Sequence, residues 1–160
     1  MSSAIHPVSL SRHQALRWGN FDSYQFAAKD TVCPVVMSEM PKAACQLPLA
    51  FVASGDAFMP VAVLGLTAQT NAFVGANGLW QESYVPAQYR GYPFLIARTE
   101  KGEQLFCVNE DSGLVGEQHN QAFFDAEGNL SPALQKVFDF WVQVEANRVQ
   151  TQRFAQALKE

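Results

Sequence analysis

Between residues 131 and 158 the apolar side chains Leu134, Val137, Phe138, Trp141, Val144, Ala155 and Leu158, with Thr151 among them, fall on steps that keep them in one stripe. At 3.6 residues per turn such a stripe is one face of an α-helix. Ser131 suits the position before the first turn, where its hydroxyl can accept from a free backbone N–H. Pro132 suits the first helical position, where no N–H is needed. The spacing predicts a helix over 132–158. A helix of that length is held mainly by what its apolar face covers, so the rest of the chain has to supply a layer against which Phe138 and Trp141 are buried.

Upstream, short strand candidates alternate with turn signals. FDSYQFAA (21–28) and VCPVVM (32–37) are brief and rich in apolar or aromatic residues. SEMPKAACQ (38–46) places Ser38 as an N-cap and Pro41 in an early turn, which predicts a short helix. LPLAFVAS (47–54) and MPVAVLGL (59–66) are apolar at nearly every position. Periodicity cannot separate buried strand from buried helix there, but length, Val content and the bounding Gly and Pro favour strands joined at Gly55-Asp56. Asn77-Gly78 tolerates the positive φ of a tight hairpin between 72–75 and 79–81. FLIARTE (94–100) and QLFCVNE (104–110) flank another reversal at Lys101-Gly102-Glu103. The expected fold is α+β, an antiparallel meander sheet with short connecting helices and one long C-terminal helix packed on it. With 160 residues, 48% of them hydrophobic, we expect one domain over 1–160 with a core that needs no staples. Residues 1–30 carry the weakest signals; 1–14 are read as partly flexible, while Trp18 and Phe21 dock the second half.

Charge and cysteine usage narrow the function classes. A formal charge of −4 without any basic cluster speaks against nucleic acid and anionic membranes, which need Lys and Arg gathered on one face. Arg148 and Arg153 are read as an ordinary solvated helix face. No stretch approaches the roughly 20 apolar residues of a membrane helix, and the start lacks an unbroken signal-like run. Cys33, Cys45 and Cys107 form no CxxC pair and leave one unpaired in any scheme, which suits buried free thiols in a reducing compartment. We therefore expect a cytoplasmic protein. His6, His13 and His119 lack metal-ligand spacing, so neither a metal nor another cofactor is expected.

The densest chemistry lies in WQESYVPAQYRGYPF (80–94), with five aromatic rings, two prolines, one glycine and one arginine. Pro86 suits a first helical position, Gly91 suits a positive-φ residue closing a short turn, and Pro93 forbids continuation, so PAQYRG reads as one or two helical turns between strands. Trp80, Tyr84, Tyr89, Tyr92 and Phe94 cannot all point inward around so short a turn. Arg90 among them can stack on a ring and fork toward a carboxylate, whether Asp56 or Glu39 of this chain or one carried by a ligand. Either the rings and Arg90 close the rim of the core, or Trp80, Tyr84, Arg90 and Tyr92, with Asp56 and Glu39, form a recognition site.

Other candidates are thinner. Cys107 and His119 could pair as nucleophile and base only if the fold joins them, and Cys107 alternates with apolar neighbours that predict burial. Glu110-Asp111, Glu117 and Asp125 read as solvated loop charges. No nucleophile elbow, Walker loop or dinucleotide fingerprint is present, and no catalytic residue can be named.

GDAFMPVAVLGL (55–66), then NAFVGANGLWQESYVPAQYRGYPF (71–94), then a Phe-Asp turn before a helix carrying Arg148 and Thr151, together resemble the SapC family. The resemblance runs from about Val35 to Leu158 through Gly55-Asp56, Pro60, Gly65-Leu66, Asn71, Gly78, Trp80, Tyr84, Pro86, Arg90 and Tyr92-Pro93-Phe94. It implies a small soluble bacterial protein, named by association with surface-array (S-layer) loci, and distinct from the membrane permease of the same short name. The expectation that follows is an accessory or binding protein for a surface protein, peptide or glycan-bearing ligand. The alternative is a small enzyme modifying a peptide or glycan around Tyr84 and Arg90.

Overall fold

In the computed structural model, residues 4–55 and 57–157 are described; Asp56 and Leu158 lie outside them. The elements run β1 (Ile5–Pro7), α1 (Leu10–His13), β2 (Arg17–Trp18), β3 (Val32–Pro34), α2 (Met40–Ala43), β4 (Leu49–Ser54) and β5 (Ala57–Val63). They continue with α3 (Ala87–Arg90), β6 (Phe94–Arg98), β7 (Gln104–Asn109), β8 (Val115–Gly116), β9 (Gln121–Ala122) and α4 (Pro132–Ala157). The fold is α+β with antiparallel pairing, short helices and one long C-terminal helix. The strands form three small sheets, ordered β1-β7-β6, β8-β2-β9 and β3-β5-β4. They do not make one continuous meander because β1 and β2 pair with partners far along the chain.

These elements gather into two compact units, one of Met1–Phe21 with Gly91–Val142, the other of Asp22–Arg90 with Gln143–Glu160. In the first, Ile5–Pro7 pairs with Asn109–Cys107 of β7, so this part of the N-terminal segment is a sheet strand. The hairpin β6-β7 reverses through Gly102 at φ +83°, as its glycine predicts. Phe94 meets Trp18 edge-on at 5.0 Å and Phe123 at 6.0 Å, and Phe106 of β7 meets Phe138 of α4 at 5.3 Å. Trp141 is 1% exposed, as expected of the helix stripe, whereas Phe138, expected buried beside it, is half-buried. Ser131 caps α4 as expected, its Oγ accepting from the Leu134 N–H at 3.2 Å.

Gly91 corrects one expectation. It does not take the positive φ assigned to it; a Cβ there would stand 2.5 Å from the Trp141 indole, so glycine is required for close approach.

In the second unit β4 and β5 pair from Leu49↔Ala62 to Ser54↔Ala57, with Gly55 at φ +59° in the turn, and β3 lies on the other side of β5. Ala27, Cys33, Val35, Leu47, Ala62, Leu64 and Tyr89 form its core. The strand expected at 21–28 is instead a 3-10 turn at Gln25–Ala27, started by Ser23, whose Oγ accepts from the Gln25 N–H. The helix expected from Ser38 begins at Met40 with Glu39 in the cap position. Asn77-Gly78 makes the predicted tight turn, with Gly78 at φ +77°, but only one bridge, Val74↔Trp80, closes beneath it.

Candidate functional site

Glu39 sits where the chain leaves β3 and bends into α2. Although 6% exposed, it is not stranded: Oε1 accepts from the Val36 N–H at 2.8 Å, and Oε2 accepts from the Ala87 N–H at 2.8 Å and the Tyr84 hydroxyl at 2.5 Å. A buried carboxylate survives only when its charge is met in this way. The single side chain thus ties the approach to α2, the start of α3 and an aromatic cluster.

The rest of the cluster surrounds Tyr84. Trp80 Nε1 donates to the Tyr84 carbonyl at 2.8 Å, and the Tyr84 N–H donates to Gln46 Oε1 at 2.7 Å. Trp80 stacks on Phe73 and meets Tyr24 and Tyr89, each ring within 5.8 Å. The Arg90 guanidinium lies 5.8 Å from the centre of the Tyr84 ring, a cation–π distance. Burial, and then the bond to Glu39, push the Tyr84 hydroxyl above its ordinary pKa, so it donates rather than ionises. Of the expected site residues, Glu39, Trp80, Tyr84 and Arg90 therefore come together. Tyr92 belongs to the first unit, where its ring meets Phe21 at 6.0 Å. Asp56 lies outside the described residues.

Beside this cluster, and wholly within the second unit, is a cavity of about 230 Å³ that Glu39 lines. Buried Val35, Val36, Pro60 and Val144 make its apolar floor, and Phe58, 40% exposed, stands at its mouth. Gln88 of α3 and Arg148, Thr151, Gln152 and Gln156 of α4 supply its polar walls. Tyr84, Trp80 and Arg90 are not wall residues; Tyr84 reaches the cavity only through Glu39.

The α4 contributions were missed. Arg148, counted with Arg153 as solvated, has a side chain 28% exposed, and its Nε donates at 2.7 Å to Glu145, itself 7% exposed. Thr151 Oγ1 donates to the Asn147 carbonyl at 2.7 Å and accepts from the Met37 N–H at 2.8 Å, pinning α4 to the chain beyond β3. The signal was present: Val144, Arg148, Thr151 and Ala155 follow steps of four, three and four, so Arg148 occupies a core-facing phase of the stripe.

The remaining candidates resolve otherwise. Cys33 is buried and its thiol is pushed up to about 12, chiefly by burial. Cys107 is buried on β7, whereas His119 Nε2 lies 3.0 Å from the Gly113 carbonyl. Cys45, expected buried, is exposed. Glu110 is not a solvated loop charge: it takes two hydrogen bonds from Arg12, at 2.5 and 3.0 Å, and lies 3.2 Å from the buried His13 ring. Among the described residues no group of three His, Cys, Asp or Glu side chains could hold a metal ion.

Compared with protein-family models, the chain matches SapC over residues 8–160. No curated protein and no solved structure matches it.

Proposed function

The chain belongs to the SapC family, and from that membership we propose that it is a binding or accessory protein whose second unit receives a partner in the Glu39–Arg148 cavity. The observation that carries this reading is the state of the charged walls. Glu39, the one carboxylate among the described wall residues, already accepts three hydrogen bonds, while Arg148 is anchored to Glu145 through Nε alone. A carboxylate pinned in this way shapes and orients, whereas an acid, base or nucleophile needs an atom open to the reacting bond. Apolar walls with a few placed polar groups are the ordinary make-up of a recognition pocket.

The partner we assign is a surface protein, or a peptide or glycan-bearing segment of one, consistent with the surface-array association in the family's name. We place the encounter in the cytoplasm. Three free thiols suit that compartment, and among the described residues no helix is long and apolar enough to cross a membrane. The alternative, a small enzyme modifying a peptide or glycan, rests on the Tyr84 hydroxyl held on a buried carboxylate beside Arg90. It has less support because neither Tyr84 nor Arg90 lines the cavity.

The test is affinity capture from native cell extract with the wild-type chain and with Ser54→Trp, which fills the cavity mouth from an exposed position. We expect a partner retained by the first and lost by the second at an unchanged melting temperature. Identical captures by both would remove the cavity from the function.

A further inference from the structure

Arg148 occupies a phase of α4 that its neighbours Val144, Thr151 and Ala155 fill with buried side chains. Partial burial of a guanidinium is costly unless its donors are used. Among the described residues Arg148 makes one hydrogen bond, from Nε to Glu145, which leaves the two terminal nitrogens of the fork for the cavity that the residue lines. The other charged wall, Glu39, is already met by three donors. The walls therefore offer a charged donor, and the acceptor that matches a planar fork is a carboxylate. A dianion such as phosphate is disfavoured, since Glu145 stands 2.7 Å from the guanidinium and Glu39 lines the same space. A cation would find no open carboxylate.

The cavity also sets a size. An apolar cavity of about 150 Å³ takes up benzene, so 230 Å³ has room for a body of roughly eight or nine heavy atoms. A carboxylate on a five-carbon apolar body fills it; a long acyl chain or an oligosaccharide does not. Gln88, Gln152 and Gln156, which line the same space, carry carboxamides that both donate and accept, as a peptide group does. They are suited to the bonds of a chain leading outward.

Resting on the binding role proposed above, we infer that the cavity holds the C-terminal residue of a peptide, its free carboxylate on Arg148 and its aliphatic side chain against Val36, Met59 and Val144. Specificity for a chain end arises because an internal residue brings a neutral amide to the fork where a chain end brings a carboxylate.

The test is titration of the full chain, by calorimetry and by amide NMR shifts, with Gly-Gly-Leu, its C-terminal amide and hexanoate. The acid should bind with a Kd below about 1 mM, and both the amide and hexanoate should bind at least about tenfold more weakly. Arg148→Lys keeps the charge but not the fork, and Gln152→Glu places a repelling charge at an exposed wall position. Each should weaken the acid about tenfold or more, and Gln152→Glu, at an exposed position, should do so without altering the melting temperature. An amide that binds as well as the acid overturns carboxylate recognition while leaving the binding role standing. Hexanoate binding as tightly as the tripeptide overturns the peptide and points to a free acid. Silence from all three probes also overturns the inference, and the binding role then depends on the capture experiment alone.

Discussion

Replacing Glu39 by Gln keeps the size of the side chain and removes one acceptor oxygen. Whichever way the new amide turns, its NH2 faces a backbone N–H, that of Val36 or that of Ala87, each now 2.8 Å from a carboxylate oxygen. Tyr84 can rotate its hydroxyl to accept instead of donate, but a backbone N–H cannot. The variant therefore loses one charge-assisted bond, worth about 1.5–3 kcal/mol, and strands one buried donor at about 1–3 kcal/mol. These overlap, since both describe the same site, and about 3 kcal/mol is the expected loss. For a chain of this length that corresponds to a fall in Tm of roughly 6–12 °C. Tyr84→Phe removes the bond from a half-buried hydroxyl to Glu39 but leaves Glu39 its two backbone donors, so about 1–1.5 kcal/mol is expected. Urea unfolding followed by circular dichroism and tryptophan fluorescence, with coincident transitions required, measures both. A loss below about 1 kcal/mol for Glu39→Gln, or a larger loss for Tyr84→Phe, would refute the role of the carboxylate as the tie between α2 and α3.

Three further outcomes can be checked. Gly91→Ala should destabilise by about 1–3 kcal/mol in urea, because its Cβ would meet the Trp141 indole at 2.5 Å; an unchanged midpoint would show that the ring gives way. Titration with an aromatic disulfide should find one thiol fast, exposed Cys45, with Cys33 and Cys107 released only on denaturation; two fast thiols in the native protein would contradict their burial. Burial holds the His13 imidazole below its ordinary pKa, more than the opposing pulls of Ser9 and Glu110 raise it, so the unfolded chain takes up the proton first. The stability this contributes is whole above about pH 6.5 and is lost as pH falls through the lowered folded value. His13→Gln should flatten that part of the stability profile, and an unaltered slope would exclude His13 as its source.

What could be read from the sequence was what is encoded locally. Ser131-Pro132 and the stripe behind them describe α4 because cap and period act within a few residues, and Gly102 and Gly78 mark their turns because φ is a property of one residue. Pairing between β1 and β7 has no such mark: Ile5 and Asn109 are joined by the fold alone. That is why one meander was expected where three sheets stand. Gly91 was read for its backbone freedom when the constraint comes from a ring fifty residues on. At the site, Trp80 and Tyr84 could be picked out because rings crowd 80–94, whereas Glu39 was named only with Asp56 as a carboxylate that Arg90 could meet, and it is Tyr84 that it holds. Arg148 was passed over because it was weighed by exposure typical of its type rather than by its phase on the helix. Tyr92 was grouped with Tyr84 by nearness in sequence, yet the chain passes into the other unit between them.

The helix α4 gives residues up to Val142 to one unit and those from Gln143 onward to the other, and neither unit is one continuous stretch of chain. On a ribosome, Ile5 of β1 must wait for Asn109 of β7, about a hundred residues later and thus on the order of 5–20 s at ordinary rates of synthesis. Trp141, Val144 and Thr151 arrive later still, after every strand has been made. Until they do, Phe106 of β7 lacks Phe138, and the cavity of the second unit lacks the wall that Val144, Arg148 and Thr151 supply. A nascent chain stopped at Asn129 would carry the nine described strands and every core residue of the second unit but none of α4, so its solubility should depend on how long it is left there.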